Sequence, residues 1–178
     1  MRGKHNGNRN PYTDQRDKEL LRAYRRAKES LLKSKGFVLR AEALDMARSS
    51  PCSRYFVSEQ RASIVIRKLI AFDRYIASLQ SDEPLQMPED PLRDMLYMRR
   101  RMFSHLYLQY KKLRDENPDC THEELVTMAC ACPAEEFYLT IDSTRAILNS
   151  VLVNARNNLG HTSYYKYRQE RSKKNNND

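Results

Sequence analysis

One pattern that stops a helix and starts another occurs twice in this chain, and it constrains the fold more than any other feature. The first copy reads SPCSRYFVSEQRA over residues 50–62, and the second reads CPAEEFYLTIDST over residues 132–144. In both copies a proline ends one helix, two aromatic residues favour an extended segment, and a hydroxyl residue can cap the next helix. The copies lie 82 residues apart. We therefore predict an internal duplication.

Apolar residues recur at helical spacing around both copies, in the same order of long helix, short helix, proline-aromatic loop and helix. The chain has only four glycines and no tryptophan, which also favours helices over a sheet. The predicted helices cover about residues 13–34, 39–48, 58–80, 91–116, 121–132 and 140–157. The sequence thus predicts an all-α protein made of two similar three-helix units in tandem, packed through their long helices.

Changes in composition mark the expected boundaries between these units. Asn, Gly and Arg dominate the start of the chain, and two prolines with four acidic residues separate the halves. The predicted organisation is a disordered basic arm at 1–12, a first three-helix unit at 13–80, an acidic proline-containing linker at 81–90, a second three-helix unit at 91–157 and a basic polar tail at 158–178.

Positive charge is concentrated in the first half and in both ends of the chain. The net charge is +9, of which residues 14–80 carry +7, whereas residues 91–158 are neutral. Such a distribution favours a polyanionic partner, and nucleic acid is the commonest one. The alternative is a charged surface that binds nothing specific.

The first half resembles a helix-turn-helix unit, in which the third helix enters the major groove by its N-terminal end. This resemblance implies that side chains near the start of the third helix read bases while the preceding loop meets phosphate. Helix-turn-helix turns usually span three or four residues, whereas about nine separate the helices here, so a looser three-helix relative is indicated. The candidate nucleic-acid-binding residues are Ser53, Arg54, Ser58, Glu59, Gln60, Arg61, Ser63, Arg67 and Lys68.

The second copy lacks the basic loop of the first. Glu135 and Glu136 stand where the first copy has Ser53 and Arg54. Two carboxylates facing a phosphate backbone would oppose binding. We therefore expect the first half to make most of the contacts with nucleic acid. The second half is expected either to bind a protein partner or to support the first half structurally.

The C-terminal tail interleaves tyrosines with the bases Lys166 and Arg168. Aromatic and basic side chains in alternation suit stacking and phosphate contact with single strands. The same composition suits a tail that docks on a protein, and both interpretations stay open.

Cys120, His122, Cys130 and Cys132 have the residue types of a zinc site. Two cysteines separated by one residue at a helix end diverge unless the helix unwinds, and the same positions of the first half hold no such residues. Small buried thiols are therefore the preferred interpretation. The sequence predicts no metal and no other cofactor.

A short motif runs through the first copy: a short helix, then SP, an aromatic pair, VS and RA. This pattern is similar to small helical-repeat proteins encoded by bacteriophages and by mobile elements of gut bacteria. It covers residues 14–80 well and 91–155 loosely. The resemblance implies a phage or mobile-element setting and implies no chemical mechanism.

The sequence shows no Ser/His/Asp arrangement, phosphate loop or dinucleotide fingerprint, and no apolar run near the roughly 20 residues that span a bilayer. The basic start has no apolar region behind it, unlike a secretory signal. The expected function is non-enzymatic nucleic-acid binding, of DNA more than RNA, in a bacterial cytoplasm or inside a virion. The alternatives are a structural, assembly or adaptor protein and, third, metal-dependent regulation through the cysteines.

Overall fold

The computed structural model describes residues 12–79 and 86–153, and these ranges are all-α, as predicted. Residues 1–11, 80–85 and 154–178, which include nearly all of the predicted arm, half of the predicted linker and the whole predicted tail, lie outside the described residues. The described ranges contain six helices and no strand. They are α1 (Thr13–Lys35), α2 (Arg40–Arg48), α3 (Glu59–Ser78), α4 (Tyr97–Glu116), α5 (His122–Ala131) and α6, which begins at 141 and is described to 153.

The helix starts and stops follow local rules that the sequence carries. Ser58 caps α3 by accepting a hydrogen bond from the Arg61 N–H, and Thr121 with Glu124 forms a capping box at α5. Gly36, with φ of +74°, ends α1 in the left-handed conformation that glycine adopts without strain. Because these signals act over three or four residues, the sequence alone predicts them.

The start of α4 was predicted too early. Residues 91–95 form turns, in which the Arg93 N–H bonds to the Asp90 carbonyl and the Met95 N–H to the Leu92 carbonyl, both at 3.2 Å. Asp90 does accept a bond from the Leu92 N–H at 2.9 Å, but Leu96 then turns extended with ψ of 145°. The helix therefore begins only at Tyr97.

The two proline-aromatic loops cross at the centre of the molecule as an antiparallel pair. Cys52 and Ala134, equivalent positions of the repeat, exchange two backbone hydrogen bonds of 3.0 Å each. The Tyr55 N–H bonds to the Cys130 carbonyl at 3.1 Å, and its counterpart, the Phe137 N–H, bonds to the Arg48 carbonyl at 3.0 Å. Such reciprocity is the signature of a twofold relation.

The aromatic pairs of the loops obey the same relation. Tyr55 stacks on Tyr138 with ring centroids 5.9 Å apart, and Phe56 stacks on Phe137 at 6.0 Å. Three of these rings are at most 7% exposed. The aromatic residues of the repeated loop therefore pack against one another at the core. The reciprocal contacts are compatible with the predicted tandem units, which stay a prediction.

Crossing of the loops sends α3 toward the other half of the molecule. Helix α3 packs on α4 and α5, and none of its Cα atoms lies within 8 Å of one in α1 or α2. Arg67 of α3 pairs with Glu123 of α5. Asn149, the position of α6 equivalent to Arg67, accepts a hydrogen bond of 2.6 Å from Arg40 of α2. The third helix of each repeat therefore contacts the short helix of the other.

One large apolar cluster joins both halves. It includes buried residues from both repeats, such as Leu20, Leu44, Ile66, Leu106 and Leu148, each at most 1% exposed. A smaller cluster of Ala27, Leu31 and Ala43 lies between α1 and α2. Because the large cluster spans the crossing, neither repeat buries its apolar residues alone.

Replacing Ile66 by alanine should lower the free energy of unfolding by about 2–5 kcal/mol, because Ile66 is fully buried. The matched change of Ile64, on the same helix but 46% exposed, should cost less than about 1 kcal/mol. Urea unfolding followed by circular dichroism measures both values. Equal losses would contradict the buried face assigned to α3.

Candidate nucleic-acid interface

An arginine-lined cleft lies between α1 and the loop that follows α2. It encloses about 520 Å³, within the range of small-ligand pockets. We call it the arginine cleft. Its lining consists of Glu19, Arg22, Arg25, Arg26, Pro51, Cys52, Ser53 and Phe137.

Three arginines form one wall of the arginine cleft. Arg25 and Arg26 follow Arg22 by three and four residues, so the three side chains share one face of α1. All three are exposed. No salt bridge joins any of them to another described residue. Since like charges this close repel one another, an anion entering the cleft would relieve that repulsion.

Ser53 forms the opposite edge of the cleft and is held by a carboxylate. Its N–H donates to Glu19 Oε2 at 3.0 Å, and its hydroxyl donates to Glu19 Oε1. The Gln15 amide donates to both Ser53 Oγ and Glu19 Oε1 at 3.0 Å. Partial burial raises the pKa of Glu19, but the hydrogen bonds from Ser53 and Gln15, together with the charge of Arg22, hold that pKa below its ordinary value. Glu19 is therefore an ionised carboxylate in a basic cleft.

Arg54, the predicted phosphate contact of the loop, is engaged within the protein. Its guanidinium lies 3.4 Å from the centre of the Tyr12 ring and donates to Glu59 Oε1 at 3.0 Å. The Arg54 side chain is 16% exposed. The Tyr12 hydroxyl also donates to Glu59. A phosphate would have to replace Glu59 to reach this guanidinium.

The remaining predicted residues of α3 divide into engaged and exposed groups. Ser58 caps the helix, Ser63 is hydrogen-bonded to His122 Nε2 at 3.1 Å, and Arg67 pairs with Glu123. The exposed group consists of Gln60, Arg61 and Lys68. Lys166 and Arg168, predicted in the tail, lie outside the described residues.

The four candidate zinc ligands do not come together. His122 is hydrogen-bonded at both ring nitrogens, by Ser63 at Nε2 and by Tyr110 at Nδ1, 3.0 Å away. Cys130 is fully buried, and burial raises the pKa of its thiol to about 12. Within the described ranges, no group of three or more His, Cys, Asp or Glu side chains is arranged to hold a metal ion.

The second repeat has a different surface at the equivalent place. Glu135, the counterpart of Ser53, has a side chain 76% exposed and lies 3.3 Å from His105 Nδ1. Glu136, the counterpart of Arg54, is buried beside Arg101, with 3.0 Å between Nη1 and Oε1. The two copies therefore differ at this surface, but of the two carboxylates expected to face a partner only Glu135 is exposed.

Sequence reasoning placed the positive charge on the first half but did not include Arg22, Arg25 and Arg26 among the candidate site residues. Their i, i+3, i+4 spacing was the available signal, since it predicts one basic face. The interpretation instead followed the helix-turn-helix resemblance to the start of α3. That the α1 face adjoins Ser53 depends on tertiary packing.

The chain has no significant match to a protein-family model, to a curated protein or to a solved structure. No helix of the described ranges has enough consecutive apolar residues to cross a bilayer. A function for this chain is therefore inferred from the geometry and charge of the arginine cleft.

Cys52 and Cys130 should resist thiol reagents in the folded protein, because burial raises the pKa of each thiol to about 12 and the thiolate is the reactive form. Cys120 and Cys132, which are half-buried, should react first. Timed labelling at pH 8 with mass-spectrometric mapping checks the order. Labelling of all four at one rate without denaturant would contradict the burial.

Glu59 should make the fold sensitive to acid. Burial raises the pKa of this carboxyl, but the hydrogen bonds from Tyr12 and Arg54 hold it below the ordinary 4.5. Because the pKa of Glu59 is lower in the folded state, its ionised carboxyl stabilises the fold above about pH 4.5. This contribution is lost as the pH falls through the folded-state pKa. Glu59→Gln should therefore flatten the fall in melting temperature between about pH 5 and pH 3. An unchanged slope would contradict this role.

Proposed function

We propose that this protein is a non-enzymatic nucleic-acid-binding protein whose first repeat leads binding. The observation that carries the proposal is the arginine cleft, where three arginines without salt-bridge partners among the described residues share one wall. Arginine guanidinium groups contact phosphate bidentately. Release of counterions from a nucleic-acid backbone would then drive association.

The centre of the proposed interface lies on α1 and the loop at Ser53. Arg22, Arg25 and Arg26 supply phosphate contacts along the helix. The exposed Gln60 and Arg61 at the start of α3 remain candidates for base contacts. DNA is the preferred partner over RNA in this proposal, and a phage or mobile element in a bacterial cytoplasm, or a virion, is the proposed setting.

Protein contact through the second repeat is the second candidate function. Leu96 and Tyr97, at the start of α4, are 74% and 68% exposed, and Met87 nearby in the chain is 67% exposed. Large apolar side chains exposed in this way are typical of interaction surfaces. An adaptor or assembly role for the second repeat would use these residues.

The triple change Arg22→Ala, Arg25→Ala, Arg26→Ala should weaken DNA binding about tenfold or more at low salt, because three phosphate contacts are lost. Fluorescence anisotropy with a labelled duplex and a labelled single strand, from about 50 to 200 mM salt, measures affinity and salt slope. The slope of log K against log salt should become shallower by about 2 to 3.

The matched control removes three exposed arginines from the second repeat, Arg93, Arg99 and Arg114. It lowers the net charge by the same amount, so it reports the effect of overall charge alone. Equal losses from both triples would contradict an interface on α1. Absence of binding by the unaltered protein at low salt would overturn the proposal and leave protein contact as the candidate.

A further inference from the structure

We infer that Ser53 and the three arginines of the cleft form a site for a single phosphate group, which the Glu19 carboxylate occupies in the free protein. This inference rests on the proposed function and deepens it, because it names the group that the cleft would bind. Glu19 would then be a built-in competitor of the nucleic-acid backbone.

Ser53 presents two hydrogen-bond donors at the edge of the arginine cleft. The Ser53 N–H and hydroxyl donate to the two oxygens of one carboxylate, Oε2 and Oε1 of Glu19. A phosphate group presents pairs of anionic oxygens that accept from the same kinds of donor. The edge of the cleft is therefore already arranged to hold an anion with two oxygens.

The charge around Ser53 is mainly positive. Among the described residues, Glu19 is the only acidic one that lines the arginine cleft, against three arginines. The hydrogen bonds from Ser53 and Gln15 hold the pKa of Glu19 below its ordinary value. One carboxylate thus leaves the cleft with a surplus of positive charge, and a phosphate diester at the arginines would be close to a like-charged Glu19.

A phosphate group and the Glu19 carboxylate would therefore compete for the same donors of Ser53. A phosphate at Ser53 must take over the donors that Glu19 now uses, and Glu19 must turn toward solvent. Removing the negative charge of Glu19 leaves only a weaker, neutral acceptor and removes the repulsion. A neutral side chain of the same size at this position should therefore tighten binding.

The test is Glu19→Gln, measured with the same labelled single strand and duplex by fluorescence anisotropy. Affinity should rise about fivefold or more, because the local negative charge is lost and the competing acceptor becomes a weaker, neutral one. The control is Glu29→Gln on the exposed surface of α1, which changes the net charge equally and should change affinity less than about twofold.

A double-mutant cycle places the effect at Ser53. Ser53→Ala removes one donor, so the gain from Glu19→Gln should shrink in that background. The Ser53 amide resonance of the unaltered protein should also shift when a phosphate-containing oligonucleotide is added, whether or not the variants fold. Equal gains from Glu19→Gln and Glu29→Gln, or an unmoved Ser53 amide at saturation, would overturn the inference.

The outcomes separate the two proposals. If the unaltered protein binds no nucleic acid at low salt, the proposed function fails, and a Ser53 amide that still shifts with inorganic phosphate would leave the phosphate site standing. If the protein binds and the α1 arginine triple weakens binding, but Glu19 and Glu29 variants behave alike, only the phosphate site at Ser53 fails.

Discussion

The reciprocal backbone hydrogen bonds between Cys52 and Ala134 are the constraint on which the rest of the structure depends. Both residues are at most 7% exposed, and buried N–H and carbonyl groups are costly unless they are paired. Each loop satisfies these groups only by meeting the other loop in antiparallel orientation. The crossing in turn directs α3 away from α1 and α2 and onto α4 and α5.

The aromatic stacks around this crossing are related by the same twofold, but they are not identical. Tyr138 has φ of +51°, a conformation that non-glycine residues rarely adopt, whereas Phe56, its counterpart, has a negative φ. The Tyr138 hydroxyl is hydrogen-bonded to His105 Nδ1 at 2.8 Å. Burial raises the pKa of Tyr138 well above its ordinary value. Packing of this ring in the core therefore overrides the backbone preference of a single residue.

The two copies differ in the residues that their loops present at the surface. In the first copy a serine faces arginines across a cleft, and in the second a glutamate stands at the same position beside His105. Residues that are shared by the copies end helices, cap helices or stack in the core. Two copies that share a scaffold but differ at the surface are what we expect if the copies have different functions.

The sequence by itself determined the helical class, most helix ends and the uneven charge. Prolines, caps such as Thr121 and the glycine at position 36 act within one helical turn, and so they can be read without knowledge of the fold. The tertiary structure alone decided that α3 packs across the repeat, that Arg54 lies against Tyr12 and Glu59, and that Glu19 holds Ser53. These partners are five to 47 residues apart in the chain. The contacts of Glu19 with Ser53 and of Tyr12 with Arg54 depend on how α1 packs against the loop that follows α2, and the packing of α3 depends on the pairing of the two loops. No local pattern specifies either.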